Sequence, residues 1–322
     1  MKHLSVGILL LAIASGVSAE LAAGHAQRLC KEAALVLESD LEGGIKQEFS
    51  GIAASRQYPD VYWTHRDSGN EAQLLAYNGE GQLLNSFLVT GAENRDWEDI
   101  AIAGNRDRGY SIYLADIGDN KRRWPFITLY RFAEPEVPGD GTQINIGDVQ
   151  ISHFRYPDKT RNAESLFIDE RAGRFYVLSK ETVKRFFWPR PAGPSVLYSG
   201  ALNAVGEEAV ALVFEREVDF VNLASQGHTR FRDEVGSRPV AEATTAADMH
   251  AGTGLIGVRT YGSLWLWQAG AGESVAEAMA RPPCEAPTSI EIGGEGFAFS
   301  PDGQGYVTVA EYFSRLVRFR VE

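Results

Sequence analysis

One sequence block recurs five times along the chain, and this recurrence constrains the fold more than any other feature. Each copy typically has a polar residue, a small residue, an apolar run, a turn, a second apolar run and a charged tip. Repeated β-hairpins at a period of tens of residues indicate a propeller or a solenoid. The copies begin at Ser50, Glu98, Glu164, Thr245 and Glu295.

The spacing of the copies favours the propeller. Successive copies begin 48, 66, 81 and 50 residues apart, and a four-stranded blade with its turns needs about 40–50 residues. The short uniform period of a β-helix, which the solenoid alternative requires, is missing. We therefore predict an all-β fold, a single β-propeller of four-stranded antiparallel blades, with five blades favoured and six as the alternative.

The third interval is too long for one blade. A polar stretch with little alternation, from about 221 to 239, is left over and is interpreted as an inserted loop. A sixth, degenerate blade between Ser195 and Glu242 is the alternative, because atypical copies of a repeat escape detection. The four strands predicted in this interval are Glu164–Ile168, Phe175–Ser179, Lys184–Trp188 and Ala209–Glu215.

The two ends of the chain are predicted to meet. The last copy leaves only Leu316–Val321 for its remaining strands, and Ala33–Leu37 can supply the missing outer strand. This pairing closes the ring and removes exposed strand edges. Cys30 and Cys284 are the only cysteines and become neighbours in a closed ring. We expect them to form a disulfide, with two separate buried thiols as the alternative.

The N-terminus has the pattern of a secretory signal. Lys2 and His3 precede an apolar run from Leu4 to about Ser15, and small residues follow as far as Ala19. This predicts a signal peptide at 1–19 and a propeller domain at 20–322. The apolar run is shorter than the ~20 residues that span a bilayer. We expect an exported protein, periplasmic or extracellular, with no membrane span in the mature chain.

The charge of the chain limits its partners. The formal net charge is −12 at pH 7, whereas binding to nucleic acid or anionic lipid needs clusters of Lys and Arg. The one dense basic run, Lys121-Arg122-Arg123, fits a solvated loop. We therefore expect a monomer that does not bind nucleic acid. Its partner is expected to be a small molecule or an envelope protein.

Three of the five copies begin with an acid, and these acids supply the candidate metal site. Ring closure brings Glu98, Glu164 and Glu295 to the mouth of the central channel. Carboxylates directed at one point repel one another unless a cation or a proton lies between them, and hard oxygen ligands suit Ca²⁺. We predict these acids as Ca²⁺ ligands. The alternative is a metal-free network in which Lys180, Arg259 and water neutralise them.

Other polar residues lie near the predicted mouth. Asp99 and Asp116 are candidate catalytic bases, acting on a metal-bound water, which is the usual route to hydrolysis at metal sites. A structural role is the alternative, because Asp and Asn side chains cap turns through backbone amides. The sequence has neither a G-x-S-x-G nor an H-E-x-x-H motif. The residues expected to contact a ligand are Asp67, Asp119, Lys180, Asp248, Arg259 and Glu311.

Four motifs carry a resemblance to known proteins: Trp97-Glu98-Asp99-Ile100-Ala101, Asp116-Ile117-Gly118-Asp119-Asn120, Ala163-Glu164-Ser165-Leu166 and Gly294-Glu295-Gly296-Phe297. They resemble a family of secreted bacterial β-propellers of largely unassigned function. More distantly, the chain is similar to phytase-like and gluconolactonase-like calcium propellers. In the lactonase-like families, Glu, Asn and Asp from different blades hold one divalent ion at the channel mouth. The resemblance implies that Glu98, Glu164 and Glu295 are the nearest counterparts.

Two functions follow as expectations. One is an exported propeller that binds a small ligand, a divalent cation or an envelope protein at its acidic channel mouth. The other is a Ca²⁺-dependent hydrolase of lactones or phosphoesters.

Overall fold

The computed structural model describes residues 24–43, 48–185, 188–204, 206–226, 242–289, 293–311 and 313–322. Within these residues the strands form five large sheets, and the innermost strands of neighbouring sheets contact one another in a closed ring. The five-bladed β-propeller predicted from the repeats is confirmed, and the six-bladed and solenoid alternatives are wrong. The predicted signal peptide at 1–19 lies outside the described residues.

The blades follow one another along the chain, and the first strand of each blade lies at the channel. The N-terminal strand is β1 (Ala34–Asp40). From the channel outward, blade 1 contains β2 (Phe49–Ala54), β3 (Val61–Arg66), β4 (Gln73–Asn78) and β5 (Leu83–Val89). Blade 2 contains β6 (Trp97–Asn105), β7 (Gly109–Asp116), β8 (Ile127–Ala133) and, beyond β9 (Gln143–Ile146) in sequence, β10 (Gln150–Arg155).

The other three blades repeat this order. Blade 3 contains β11 (Ala163–Asp169), β12 (Arg174–Ser179), β15 (Ser195–Ala201) and β17 (Val213–Val218). Blade 4 contains β18 (Thr244–His250), β19 (Leu255–Thr260), β20 (Leu264–Gln268) and β21 (Cys284–Ala286). Blade 5 contains β22 (Gly294–Phe299), β23 (Gly305–Ala310), β24 (Arg315–Arg320) and finally β1.

A few elements lie outside the four-stranded plan. β9 adds to blade 1 in parallel with β5, and β16 (Gly206–Ala211) adds to blade 2 in parallel with β10. β13 (Thr182–Arg185) and β14 (Trp188–Pro191) form a separate hairpin. The helices are α1 (residues 24–32), α2 (Phe220–Gln226) and α3 (Val275–Ala278). Across the described ranges, the helices are too short or too polar to cross a bilayer.

The structure corrects the prediction for the third interval. Lys184–Trp188 is not the third strand of blade 3, because its first residues end β13 and Trp188 begins β14, and these two strands pair with each other. The third strand is β15, whose side chains are buried along almost its whole length, and the fourth is β17. The predicted strand Ala209–Glu215 runs instead from β16 in blade 2 to β17 in blade 3. The inserted loop begins as helix α2, and residues 227–241 lie outside the described part.

Ring closure uses the N-terminus as predicted. β1 pairs antiparallel with β24 in blade 5. Cys30 and Cys284 form a disulfide, with their Cα atoms 6.1 Å apart, so both the closure and the bridge are confirmed. Because Cys30 lies in α1 and Cys284 begins β21, the bridge ties the N-terminal segment to blade 4, next to the blade that β1 completes. Leu29 of α1 packs into the apolar layer between blades 4 and 5.

Apolar side chains fill the space between neighbouring blades. Five buried clusters among the described residues correspond to the five interfaces between consecutive blades. The inner strands approach closely: a Cβ on Gly51 would lie 2.9 Å from Cα of Asp99, and one on Gly296 would lie 2.9 Å from Cγ2 of Ile52. The small residue near the start of most copies therefore lets the inner strands converge on the channel.

Candidate functional site

A β-bulge marks the start of each inner strand. In blades 2 to 5 the pairing with the second strand shifts by one residue at the first polar position of the repeat, and blade 1 has an irregularity around Ser50. A bulge leaves its extra residue out of the ladder and re-aims the side chain. The bulged residues of blades 2 to 5 are Glu98, Glu164, Thr245 and Glu295.

The re-aimed side chains border a cavity of about 220 Å³ at the channel mouth. Four of the five first residues line it, and Thr245 instead donates a hydrogen bond to the carbonyl of Gly294 at 2.8 Å. Asp67, Lys180 and Glu311, predicted as ligand contacts, also line the cavity. The complete lining is Phe49, Ser50, Asp67, Glu98, Asn120, Glu164, Lys180, Thr182, Tyr261, Glu295 and Glu311.

The ends of the second strands supply the other wall of the cavity. Asp67, Lys180, Tyr261 and Glu311 each follow directly after the second strand of their blade. Tyr261 was not among the predicted site residues. Arg259, two residues earlier, was interpreted as the charged residue that ends the fourth copy of the repeat. The position relative to the strand end is the signal that identifies Tyr261.

Asp116 is not equivalent to these residues. It still pairs with Trp97 in the ladder, so Ile117 occupies the position that lines the cavity in other blades. Successive residues of an extended strand point to opposite faces, and Asp116 does not line the mouth cavity. Its carboxylate lies 3.3 Å from Nε of Arg95 and accepts a hydrogen bond from the Asp96 amide at 3.1 Å. Burial raises the pKa of Asp116 to about 6, although Arg95 acts to lower it.

Lys180 is a buried cation in the cavity wall. Its Nζ lies 2.9 Å from Oε2 of Glu164 and donates to the Tyr261 hydroxyl at 2.7 Å. Burial acts to lower the pKa of Lys180, but Glu164, Tyr261 and Glu295 outweigh it and hold that pKa well above the usual value. The ammonium group therefore stays charged and neutralises Glu164. For this acid, the metal-free network is the better description.

The other oxygen of Glu164 is held by Asn162, which directly precedes β11 and is itself bonded to the loop after β7. Asn162 donates from Nδ2 to Oε1 of Glu164 at 2.8 Å and accepts the amide of Asp119. Asp119 in turn accepts the Trp124 amide at 2.7 Å. Asp119 therefore organises the loop that covers this side of the mouth, and its carboxylate does not line the cavity.

Glu295 lines the cavity, and one of its carboxylate oxygens is buried without a partner among the described residues. The residue is 6% exposed, and its Oε2 has no hydrogen-bond partner in the part of the chain that the structure describes. Burial raises the pKa of Glu295 to about 8, even though Lys180 acts to lower it. A buried polar atom without a partner is rare in folded proteins, and the raised pKa of Glu295 favours the protonated, uncharged form of this carboxyl group.

A second acidic group consists of Asp67, Asp96 and Glu98. One carboxylate oxygen of each lies within 4.8 Å of the other two. Burial, together with repulsion from neighbouring acids, raises the pKa of Asp67, raises that of Asp96 to about 7 and raises that of Glu98 well above its usual value. Ca²⁺ lies about 2.3–2.6 Å from its oxygen ligands, so three oxygens at this spacing can share one ion.

Gly118 leaves the space in which two of these carboxyl groups lie. A Cβ at this position would be 2.2 Å from Oε1 of Glu98 and 2.5 Å from Cγ of Asp96. The Gly118 amide donates to the Asp96 carbonyl at 3.0 Å, which fixes the two segments against each other. The acidic group therefore depends on a residue without a side chain.

Two predicted site residues join blades instead of lining the mouth cavity. Asp99 is fully buried, and its Oδ2 accepts the amides of Leu166 at 2.7 Å and Ala247 at 3.1 Å. It thereby links the inner strands of blades 2, 3 and 4. Asp248 accepts the amide of Phe299 at 2.8 Å and links blades 4 and 5. Burial raises the pKa of both carboxyl groups.

Arg259 also lies between blades. Its Nη1 donates to the Gly296 carbonyl at 3.3 Å. A Cβ on Gly294 would lie 2.0 Å from Nη2 of Arg259, so the guanidinium packs flat against the backbone of β22. Arg259 does not line the mouth cavity.

Comparisons with known proteins concern the fold alone. No protein-family model and no curated protein matches the sequence. The β-propeller domain of Myceliophteria thermophila Cps50 (Swd1) is similar over 90% of this chain and 100% of its own, with 11% identity and a TM-score of 0.42. Kuenenia stuttgartiensis hydrazine synthase is similar over 84% of this chain and 71% of its own, with 10% identity and a TM-score of 0.40.

Proposed function

We propose that the protein is an exported β-propeller that binds a Ca²⁺-like divalent cation at its channel mouth, together with a small polar ligand. The observation that carries this proposal is the convergence of Asp67, Asp96 and Glu98 from two blades on one point. The ammonium of Lys180 is already paired with Glu164. Carboxylates that share one point without a paired cation repel one another strongly when buried, and a divalent ion removes this repulsion.

The proposed ligands differ in part from the predicted set of Glu98, Glu164 and Glu295. Glu98 stays, and Asp67 and Asp96 take the place of the other two acids. Asp67 lines the cavity, whereas Asp96 lies outside the lining with one oxygen within 4.8 Å of those of Asp67 and Glu98. Glu164 is compensated by Lys180 and Asn162. Glu295 lines the same cavity from blade 5 and can contact the bound ligand there.

The size of the cavity limits the ligand. Pockets for drug-sized molecules have about 300–1,000 Å³, whereas this cavity has about 220 Å³. An ion with its water, or with a ligand of a few heavy atoms, matches that volume. The disulfide is compatible with an oxidising compartment outside the cytoplasm, which supports export.

Binding is favoured over hydrolysis of lactones or phosphoesters. Asp99 uses its carboxylate to accept backbone amides of three strands, and Asp116 is paired with Arg95 outside the cavity lining. A general base needs to reach the reacting proton directly or through one water. Neither candidate base lines the cavity in which a metal-bound water would lie.

Calorimetric titration of the signal-free protein with CaCl₂ tests the proposal. We expect one Ca²⁺ per chain, and an affinity that falls at least about tenfold, or ~1.4 kcal/mol, in Glu98→Gln and in Asp96→Asn. Asp107→Asn is the matched control, because Asp107 is exposed in the turn at the other end of β6. Absence of Ca²⁺ binding, or equal affinity in all three variants, overturns the proposal.

A further inference from the structure

A second cavity lies at the opposite end of the channel, where turns join the first and second strands of the blades. Its volume is about 640 Å³, against about 220 Å³ for the mouth cavity. The turns of blades 1 and 5 supply half of its lining, and the rest comes from strands β1, β2, β3 and β24 and from Arg106 of blade 2. The residues of the proposed cation site do not line it.

The charge of this cavity is opposite to that of the whole chain. The chain has a net charge of −12, yet arginines outnumber acids in the lining. The charged lining residues are Arg56, Arg106, Arg318, Arg320, Asp60 and Asp302. Arg56 is paired with Glu170, which lies outside the lining, and two other arginines are paired with the two lining acids. Among the described residues of the lining, Arg106 therefore supplies the uncompensated positive charge that attracts an anionic ligand.

The arginines are positioned by contacts with the protein. Nη1 of Arg318 lies 2.8 Å from Oδ1 of Asp60. Nη2 of Arg320 lies 2.7 Å from Oδ2 of Asp302. Their side chains remain 29% and 50% exposed. A guanidinium has five N–H donors, so each keeps donors for a ligand. Arg106 is exposed and has no ion-pair partner among residues of the described ranges.

The outer edge of blade 5 borders this cavity. β1 contributes Val36 to the lining, and Leu35 and Val36 are 48% and 52% exposed. In blades 1 and 2, the outer strands β5 and β10 each pair with a parallel strand from elsewhere in the chain. β1 pairs with β24 on one side, and no described strand pairs with its other side. The pairing of β1 with β24 has a bulge at Val36, and on both sides of this bulge the open edge is a template for an added strand.

We propose that this cavity and the edge of β1 bind an extended, acidic segment of a partner protein. The segment pairs with β1 as an added strand, places carboxylates against Arg106 and Arg320, and covers Leu35 and Val36 with apolar side chains. A small anion uses only the arginines and leaves the apolar edge strand open. The combination of an open strand edge, apolar side chains and arginines fits a polypeptide.

Fluorescence anisotropy with a labelled peptide tests the proposal on the signal-free protein. The probe is a peptide of about eight residues, the length of a typical strand, with alternating Glu and Val, and its counterpart has Lys in place of Glu. We expect the Glu peptide to bind and the Lys peptide not to bind. Arg106→Glu should weaken binding at least about tenfold. Arg108→Glu, in the same exposed turn but outside the cavity lining, should leave it unchanged.

Hydrogen exchange locates the bound peptide. We expect the amides of β1 to exchange more slowly in the presence of the Glu peptide and at an unchanged rate with inorganic phosphate. Failure of the Glu peptide to bind, or equal weakening by Arg106→Glu and Arg108→Glu, overturns the proposal. So does binding without slower exchange in β1, which indicates a small-anion site. A dimer in sedimentation that Arg106→Glu dissociates also overturns it, because a second copy then occupies the groove.

Discussion

At the scale of single residues, one step along a strand decides whether a side chain reaches the channel mouth. Glu98 does so because it is the extra residue of a bulge, and Asp116 does not because it is still paired in the ladder. A shift of one residue turns a strand's side chains to the other face. The sequence shows where an inner strand begins but not where its bulge lies. Glu98, Glu164 and Glu295 were predictable because they mark the starts of inner strands, whereas Tyr261 was missed because the sequence does not show where the second strand of blade 4 ends.

Gly118→Ala tests the steric basis of the cation site. The added Cβ meets the carboxylates of Glu98 and Asp96 and must displace them, while the backbone of Gly118 is not in the left-handed region. We expect Ca²⁺ affinity to fall at least about tenfold in calorimetry. Gly147→Ala, whose added Cβ meets nothing within 4 Å, is the control. An unchanged affinity in Gly118→Ala contradicts the proposed ligand set.

His65 makes stability depend on pH. It is fully buried beside Trp97, and burial lowers the pKa of His65 to about 4 from the usual 6.5. Between these values the unfolded chain binds a proton that the folded chain does not, so stability falls as the pH decreases through this window. The full decrease in the free energy of unfolding is on the order of 3 kcal/mol. Urea unfolding in EDTA, from neutral pH down to about 4, measures the free energy of unfolding of the wild type and of His65→Gln. We expect this free energy to decrease more in the wild type.

At the scale of elements, buried carboxylates hold the inner strands together. Asp99 accepts amides from the strands of two other blades, and Asp248 accepts one from blade 5. A sequence shows that an acid follows Glu98 but not which distant amides it accepts. The structural and catalytic interpretations of Asp99 therefore remained open until the blades were placed.

Asp99→Ala separates these two roles. It leaves the amides of Leu166 and Ala247 buried without an acceptor, and each such group costs about 1–3 kcal/mol. We expect a clear loss of stability in urea unfolding, and a smaller loss in Asp99→Asn, which keeps an acceptor oxygen. If Asp99→Ala is as stable as the wild type, the carboxylate does not join the blades as described.

The strands of blade 1 were predictable because their apolar runs are separated by short turns. Blade 3 was harder, because a hairpin interrupts it after β12 and the following segment gives a strand to each of two blades. In the sequence, the hairpin and a blade strand have similar apolar and aromatic content. Burial of β15, which the sequence does not show directly, distinguishes them.

At the scale of the whole molecule, the ring is closed both by strand pairing and by a covalent bond. The disulfide joins residues 254 positions apart, and loop-entropy models assign such a bridge about 5 kcal/mol. We expect Cys30→Ser with Cys284→Ser to lower the midpoint of urea unfolding markedly while Ca²⁺ affinity stays unchanged, since neither cysteine lines the mouth cavity. A variant as stable as the wild type would show that β1 pairing alone secures the closure.

The metal content of the purified, signal-free protein, measured together with its thermal unfolding in the presence and absence of EDTA, tests the central claim most directly. The proposed cation site predicts nearly one calcium per chain and a lower unfolding midpoint in EDTA, because an ion bound only by the folded chain stabilises it. A protein that retains no calcium after dialysis against calcium-containing buffer, and whose midpoint EDTA leaves unchanged, would contradict the claim. Asp67, Asp96 and Glu98 would then share protons instead of a metal ion.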